Sequence, residues 1–199
     1  MLIGIDFDNT IVGYDRLFEA LAVEAGWLPR AAGQGKQAVR DHVRATAPAG
    51  DREWARLQAL AYGPRMGEAA LFDGVTEFIA AARRHGHAVA IVSHKTAQAA
   101  ADPGIDLRAA ARGWLAARGW LGLDPAAVHF EATRADKLAR IAALGCAHFV
   151  DDLAEVFAEP GFPPDTRRIL FAPGRTEAPG ADPAVLASWP AIARHVLGP

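Results

Sequence analysis

The chain has 199 residues, of which 51% are hydrophobic and 22% are charged, and its formal net charge is −2. This length and composition fit one large globular domain, or a domain with a sizeable insertion. A small acidic excess argues against nucleic acid bound through overall charge, although it leaves a local basic patch open. The single cysteine, Cys146, excludes an internal disulfide and a cysteine-based zinc site, and its apolar surroundings predict a core residue.

The sequence carries no sign of a membrane partner. No apolar stretch approaches the roughly 18 residues that would suggest a membrane span. No signal peptide is visible ahead of the first apolar run. The sequence therefore predicts a soluble protein in a reducing, cytoplasmic setting.

The first dozen residues, MLIGIDFDNTIV, combine an apolar run with two carboxylates. The run starting at Leu2 predicts a central strand of a parallel sheet, and it ends on Asp6 and Asp8. Side chains two residues apart on a strand lie on one face, and two close carboxylates repel unless a cation or a shared proton compensates them. The pattern indicates a magnesium ion at the end of this strand. The alternative is an ordinary strand followed by an Asp-Asn turn.

A stretch of helical periodicity follows, from residue 14 to residue 71. It holds no strand-like run, and it contains stop signals such as Gly26 and Gly63-Pro64. We therefore expect a small all-helical cap inserted into the fold. Its three predicted helices are Asp15 to Gly26, Gln34 to Ala45, and Asp51 to Tyr62.

Basic residues of this stretch have two interpretations. Lys36, Arg40 and Arg44 are spaced by four and share one helical face. They form either a solvated surface or a lid surface that meets a substrate anion. The same question applies to Arg65, which follows Gly63-Pro64 where the cap returns to the core.

Strands and helices alternate after residue 71. This repeated β-α-β pattern predicts an α/β protein with a Rossmann-like parallel sheet and helices on both faces. The predicted core comprises residues 1–13 and 72–199, and residues 173–183 are expected to form a surface loop. The predicted helices are Asp73 to Arg84, Leu107 to Arg118, Lys137 to Leu144 and Ala184 to Val196, and the predicted strands are Ala88 to Val92, Ala127 to Phe130, Ala147 to Val150 and Arg168 to Phe171.

Chemically active residues gather at the predicted strand ends, where open α/β sheets bind ligands. Ser93 follows one strand, Asp151 and Asp152 follow another, and Lys137 opens the helix before that acidic pair. Carboxylates are hard oxygen ligands for magnesium. A hydroxyl and an ammonium group can bind phosphoryl oxygens. The strand ends therefore predict a site for phosphate and magnesium.

These motifs, in this order, resemble those of the haloacid dehalogenase (HAD) superfamily of hydrolases, with the cap inserted after the first motif. The resemblance implies that Asp6 is the nucleophile that forms an aspartyl-phosphate. It implies that Asp8 is the general acid and then the base, with its backbone carbonyl facing magnesium. The dehalogenating branch lacks an acid at that position, so Asp8 favours phosphate chemistry. The matching residues are Asp6-Phe7-Asp8-Asn9-Thr10, Ser93, Lys137 and Asp151-Asp152.

The resemblance also implies the remaining roles. Ser93, Thr10 and Lys137 would bind the phosphoryl group. Asp151 and Asp152 would complete the magnesium site with Asp6 and Asp8, and which of the two is the direct ligand stays open. His94 and Lys95 follow Ser93 and are either substrate contacts or an ordinary surface turn.

The resulting functional prediction is a magnesium-dependent phosphatase for a small phosphorylated metabolite. A phosphotransferase, a polynucleotide-end phosphatase and a catalytically idle binding or regulatory module are the alternatives. The near-neutral charge and the cap argue against a polynucleotide. The presence of Asp6, Asp8, Lys137 and Asp151 argues against an idle module. The sequence does not specify the substrate or the oligomeric state.

Overall fold

The computed structural model describes residues 1–29, 33 and 35–198, so the predicted helix start at Gln34 lies outside the described residues. Short 3₁₀ turns cover Met66–Glu68, Gly119–Gly122 and Pro125–Ala127. The helices are α1 (Asp15–Glu24), α2 (Gly35–Thr46), α3 (Gly50–Tyr62), α4 (Val75–Arg84), α5 (Leu107–Ala116), α6 (Arg134–Leu144), α7 (Ala154–Phe157) and α8 (Trp189–Leu197). The strands are β1 (Leu2–Ile5), β2 (Val12–Gly13), β3 (Ala70–Leu71), β4 (Ala88–His94), β5 (Gln98–Ala99), β6 (Asp102–Asp106), β7 (Val128–Glu131), β8 (Cys146–Asp151), β9 (Arg167–Phe171) and β10 (Ala184–Leu186).

Six strands form one parallel sheet in the order β10-β9-β8-β1-β4-β7. The first strand, β1, lies between β4 and β8, and its residues Ile3 and Ile5 are fully buried. The residue between them is Gly4. A larger residue would not fit there, because a Cβ atom would come within 2.6 Å of the Phe149 ring. The predicted α/β, Rossmann-like parallel sheet is therefore confirmed, and Cys146 is buried as expected.

The last strand of the sheet differs from the sequence prediction. Ala184–Leu186 pairs with β9 in parallel, with Ala184 opposite Ile169, so the predicted helix start at Ala184 was wrong. The helix α8 begins instead at Trp189, after Ser188 accepts a hydrogen bond from the backbone of Ala191. A three-residue apolar run fits either element from its pattern alone, and pairing with a neighbouring strand decides between them.

The chain divides into two compact units. The first unit comprises Met1–Val12, Leu71–Lys95 and Gly119–Pro199, and it contains the six-stranded sheet. The second unit comprises Gly13–Ala70 and Thr96–Arg118. It contains α1, α2, α3, α5 and an antiparallel pairing of β5 with β6. The part of the chain predicted to be an all-helical cap therefore belongs to a unit that also carries a β-hairpin.

Residues 96–118 account for this difference, since the sequence pattern assigned them to the core. Leu107, at the start of α5, packs against Ala59 of α3 and Ala99 of β5. The indole nitrogen of Trp114 donates a hydrogen bond to the carbonyl oxygen of Ala69 at 3.0 Å. The hairpin and α5 thus fold with α3. Only contacts between distant parts of the chain specify that residues 96–118 fold with α3 and not with the sheet.

Across the described ranges, every helix is too short or too polar to span a lipid bilayer.

His148 on β8 is a buried titratable residue away from the strand ends. Its exposed fraction is 4%, and its Nδ1 atom has no hydrogen-bond partner among the described residues. Burial, together with the positive charge of Arg167, lowers the pKa of His148 from 6.5 to about 4. Below pH 6.5 the unfolded chain therefore takes up a proton that the folded chain does not bind.

We accordingly expect the free energy of unfolding to decrease as the pH falls from about 6.5 to about 4. His148 accounts for up to about 3 kcal/mol of this decrease, because each pKa unit is worth about 1.4 kcal/mol. Urea unfolding at several pH values, with wild type and His148→Gln, measures it. The glutamine variant should lose this part of the pH dependence, whereas His85→Gln at an exposed position should keep it. Equal pH dependence in all three proteins would contradict the assignment.

Candidate active site

Asp6 lies directly after β1, at the carboxyl edge of the sheet. Its backbone nitrogen donates a hydrogen bond to the carbonyl oxygen of Val150 at 2.8 Å, which fixes the chain beside β8. The chain then turns back: Asn9 adopts a φ of 58°, and the carbonyl oxygen of Phe7 accepts hydrogen bonds from Ile11 and Val12. Asparagine tolerates this left-handed backbone better than most residues. The residues of the first motif therefore form this turn.

Lys137 joins two strand ends. Its Nζ atom lies 2.6 Å from Oδ1 of Asp6 and 2.6 Å from Oδ2 of Asp151, and its side chain is only 3% exposed. The helix α6 begins at Arg134, after the side chain of Thr133 caps it, so Lys137 lies one turn inside the helix. This corrects the prediction that Lys137 opens the helix. The extra turn places the ammonium group between the two carboxylates.

Three carboxylates converge beside this ammonium group. Asp6, Asp151 and Asp152 each offer an oxygen atom, and these atoms lie within 4.8 Å of one another. The backbone nitrogen of Leu153 donates a hydrogen bond to Asp151, and the hydroxyl of Thr10 donates one to Asp152. Convergent, oriented carboxylate oxygens are the donor set that magnesium prefers. These residues therefore fit a divalent cation.

The buried charges of this cluster also favour a bound divalent cation. Burial raises the pKa of Asp6, and the nearby charges of Asp151 and Asp152 raise it further, although Lys137 opposes them. Burial alone would lower the pKa of Lys137, but the charges of Asp6 and Asp151 outweigh burial and raise it. One ammonium group thus contacts two of the three clustered carboxylates. A bound cation would relieve the remaining negative charge.

A cavity of about 100 Å³ lies beside these groups. This volume is large enough for a small group such as phosphate. Ser93 is buried near the end of β4 and contributes to the lining, as the predicted phosphate contact requires. The lining residues are Asp6, Asp8, Asn9, Ser93, His94, Arg134, Lys137, Asp152, Leu153 and Val156.

The Asp8 carboxylate is not one of these three carboxylates, and it contacts a different lysine. The Nζ atom of Lys95 lies 3.0 Å from Oδ1 and 2.7 Å from Oδ2 of Asp8. Lys95 was expected to be either a substrate contact or part of an ordinary surface turn, and its side chain is instead buried. The one sequence signal for its contact with Asp8 was its position two residues after Ser93. A lysine so close to a strand end can turn toward the carboxylates of the neighbouring strand.

Thr10 makes a different contact from the predicted one. It is fully buried and does not line the cavity, and its hydroxyl donates a hydrogen bond to Asp152 at 3.3 Å. Its carbonyl oxygen accepts a hydrogen bond from the indole of Trp189. Thr10 therefore orients an acidic residue of the cluster, and its contact with a phosphate stays a prediction.

Two further cavity residues have contacts of their own. The Nε2 atom of His94 donates a hydrogen bond to the carbonyl oxygen of Ala132 at 3.1 Å. Arg134 forms an ion pair with Glu159 at 2.9 Å. Both side chains still contribute to the cavity lining.

The basic residues of the second unit also have partners there. Arg40 pairs with Asp41, and Arg44 pairs with Asp51 at 2.8 Å. The Lys36 ammonium group lies 5.4 Å from the centre of the Tyr62 ring. These contacts favour a surface held by local ion pairs over a surface reserved for a substrate anion.

Arg65 forms more ion-pair contacts than these three basic residues do. Its guanidinium group donates to both carboxylate oxygens of Glu24, at 2.7 and 3.0 Å, and also to Glu68. Two carboxylates thus share its donors, and a substrate anion would have to displace one of them. Arg65 therefore ties α1 to the segment after α3.

Comparisons with known proteins add evidence on the fold. No family model matches the chain, and no curated protein matches it. A HAD-family hydrolase from Deinococcus radiodurans, solved with bound phosphate and sodium, has a TM-score of 0.59 at 15% identity over 98% of this chain and 96% of that chain. Protein tyrosine kinase A from Mycobacterium tuberculosis has a TM-score of 0.63 at 19% identity, over 100% of this chain and 98% of that chain.

A HAD hydrolase of family IA, variant 3, from Entamoeba histolytica is also similar, with a TM-score of 0.57 at 12% identity over 95% of this chain and 93% of that chain. These likenesses extend over nearly the whole length of each chain. The protein therefore has the fold of the HAD-superfamily hydrolases, as its motifs predicted.

Proposed function

We propose that this protein is a magnesium-dependent phosphatase of the HAD superfamily, which hydrolyses a small phosphorylated metabolite through an aspartyl-phosphate on Asp6. The observation that carries the proposal is the placement of Lys137. Its ammonium group contacts Asp6 and Asp151 at 2.6 Å, next to a third carboxylate and beside a phosphate-sized cavity. Such an arrangement concentrates the charges that phosphoryl transfer requires.

The first half of the reaction assigns one task to each acid of the first motif. A carboxylate oxygen of Asp6 attacks phosphorus, and the bond between phosphorus and the leaving oxygen breaks. Asp8 donates a proton to that leaving oxygen. Lys137 and the Ser93 hydroxyl bind phosphoryl oxygens, and the positive charge of Lys137 reduces repulsion between the nucleophile and the anionic phosphate.

The second half regenerates the protein. Asp8, now a carboxylate, removes a proton from a water molecule. The water oxygen attacks phosphorus, and the bond between phosphorus and the Asp6 oxygen breaks, which releases inorganic phosphate. Magnesium held by Asp6, Asp151, Asp152 and the backbone carbonyl of Asp8 would supply further positive charge to the phosphoryl oxygens.

A phosphotransferase is the second candidate, because one similar structure is named a protein tyrosine kinase. The same aspartyl-phosphate would then pass its phosphoryl group to an alcohol instead of water. The net charge of −2 supports a small substrate over a polynucleotide. The contacts of Lys137 with Asp6 and Asp151 support an active enzyme over an idle module.

A panel of phosphomonoesters tests the proposal. We expect the purified protein to release phosphate from an aryl phosphate and from one class among sugar phosphates, nucleotides and phospho-acids when magnesium is present. Chelation of the metal should stop release, and added magnesium should restore it, because the acidic cluster requires a cation. Release at full rate in excess chelator would contradict the metal assignment. Transfer to an added alcohol without release to water would favour the phosphotransferase.

A further inference from the structure

Lys95 is a buried lysine that directly follows β4 in the first unit. Its side chain is 3% exposed, and its ammonium group contacts both carboxylate oxygens of Asp8, at 2.7 and 3.0 Å. Its backbone nitrogen donates a hydrogen bond to the carbonyl oxygen of Glu131, which fixes the start of this side chain beside β7. The ammonium group also lies 5.6 Å from the centre of the Phe7 ring. The side chain is therefore held at both ends.

The two acids of the first motif thus have different ammonium partners. Asp6 contacts Lys137, which also contacts Asp151, whereas Asp8 contacts Lys95. A lysine pays a large desolvation cost on burial, and a buried ion pair often adds little to stability compared with apolar side chains of similar size. The pair formed by Lys95 and Asp8 is thus poorly explained by stability alone.

Orientation of the Asp8 carboxylate offers a specific explanation. The terminal torsion of an aspartate is broad, so the carboxylate samples many directions unless it is restrained. Contacts from one ammonium group to both oxygens restrain that torsion. The Asp8 side chain nevertheless remains 22% exposed and lines the cavity. Asp8 can therefore be held by Lys95 and still accept or donate a proton on its cavity side.

We propose that Lys95 is a positioning residue that holds the Asp8 carboxylate in one orientation at the cavity. For its catalytic consequence this inference rests on the proposed function, in which Asp8 moves the proton of the leaving group and of the attacking water. Misplacement of a reacting group by about 1 Å can cost about a hundredfold in rate. Loss of the Lys95 contacts should therefore slow the steps that need Asp8.

Lys95→Met tests this, because methionine keeps much of the apolar stem and removes the ammonium group. The substrates are an activated aryl phosphate, whose leaving group needs little protonation, and an alkyl phosphate, whose leaving group needs a proton. We expect the single-turnover rate of leaving-group release from the alkyl phosphate to fall about 10- to 100-fold, with a smaller fall for the aryl phosphate, because only this first step distinguishes the two leaving groups. Lys95→Arg keeps a charged donor and should recover part of the loss.

A double-mutant cycle separates positioning from a general effect on the fold. In an Asp8→Asn background, Lys95→Met should change the alkyl-to-aryl ratio of these release rates less than about twofold, because the group that Lys95 positions is already lost. An equal fall in the release rate of both leaving groups, or the same change in this ratio with and without Asp8, would overturn the proposal. Lys95→Gln serves as the second variant should the methionine variant fail to fold.

A crystal structure of Lys95→Met provides a readout that does not depend on turnover. We expect the Asp8 carboxylate to rotate away from its wild-type position or to occupy more than one orientation. An unchanged, fully ordered carboxylate would overturn the positioning role, whatever the enzyme's activity. If the wild type hydrolyses neither substrate, the proposed function fails, and the crystal structure still decides whether Lys95 positions Asp8.

Discussion

Asp6→Asn is expected to lower kcat for every phosphomonoester substrate by at least about 10⁴-fold, as removal of a nucleophile does in other enzymes that form covalent intermediates. Asparagine has nearly the shape of aspartate but carries no negative charge and is a very weak nucleophile. The buried position of Asp6 and its contact with Lys137 leave little room for another group to replace it. Phosphate release under saturating magnesium measures the effect.

The control for this substitution is Asp73→Asn. Asp73 is exposed and belongs to the same unit, so its loss of charge should leave kcat within about twofold, as for most surface substitutions. Circular dichroism of both variants checks that the fold is retained. Asp6→Asn protein that keeps wild-type turnover would disprove the nucleophile assignment.

Lys137→Met should have the second largest effect, on activity and on stability together. It leaves Asp6 and Asp151 buried without their shared ammonium partner. Removal of one member of a buried ion pair costs about 3–5 kcal/mol, because the remaining charge is uncompensated. The loss of a charged phosphate contact should also lower kcat about 10²- to 10³-fold.

The stability effect should depend on magnesium. In chelator the free energy of unfolding of Lys137→Met should fall by about 3 kcal/mol, and magnesium should raise its Tm more than that of the wild type because the cation then offsets the carboxylates. Arg140→Met is the matched control, since Arg140 lies on the same helix and pairs with Glu131 but is 42% exposed. Exposed pairs contribute up to about 1 kcal/mol. Equal losses in both variants would contradict the role of Lys137.

Residues close in sequence to a strand end were the most predictable part of this protein. The apolar run of β1 and the alternation after residue 71 identified the parallel sheet, since each signal depends on a local pattern. The acidic cluster followed from the same logic, because carboxyl ends of parallel strands share one edge. Asp6, Asp151 and Asp152 accordingly lie together.

Features that depend on distant contacts were not predictable in this way. The three residues of β10 read equally well as the first turn of a helix. The hairpin before α5 follows from packing of Leu107 against Ala59, and local periodicity carries no information on that contact. Lys95 looks like an ordinary turn residue until β4 and β1 are placed side by side, which brings its ammonium group to Asp8.

The proposed covalent intermediate on Asp6 can be measured directly with Asp8→Asn. This variant keeps the nucleophile but loses the base that activates water, so the aspartyl-phosphate formed from an activated aryl phosphate should accumulate. Acid quenching, proteolysis and mass spectrometry should locate one added phosphoryl group on Asp6, and none in the double variant with Asp6→Asn. Turnover of the aryl phosphate without any phosphoryl group on Asp6, or with the group on another residue, would contradict the proposed mechanism.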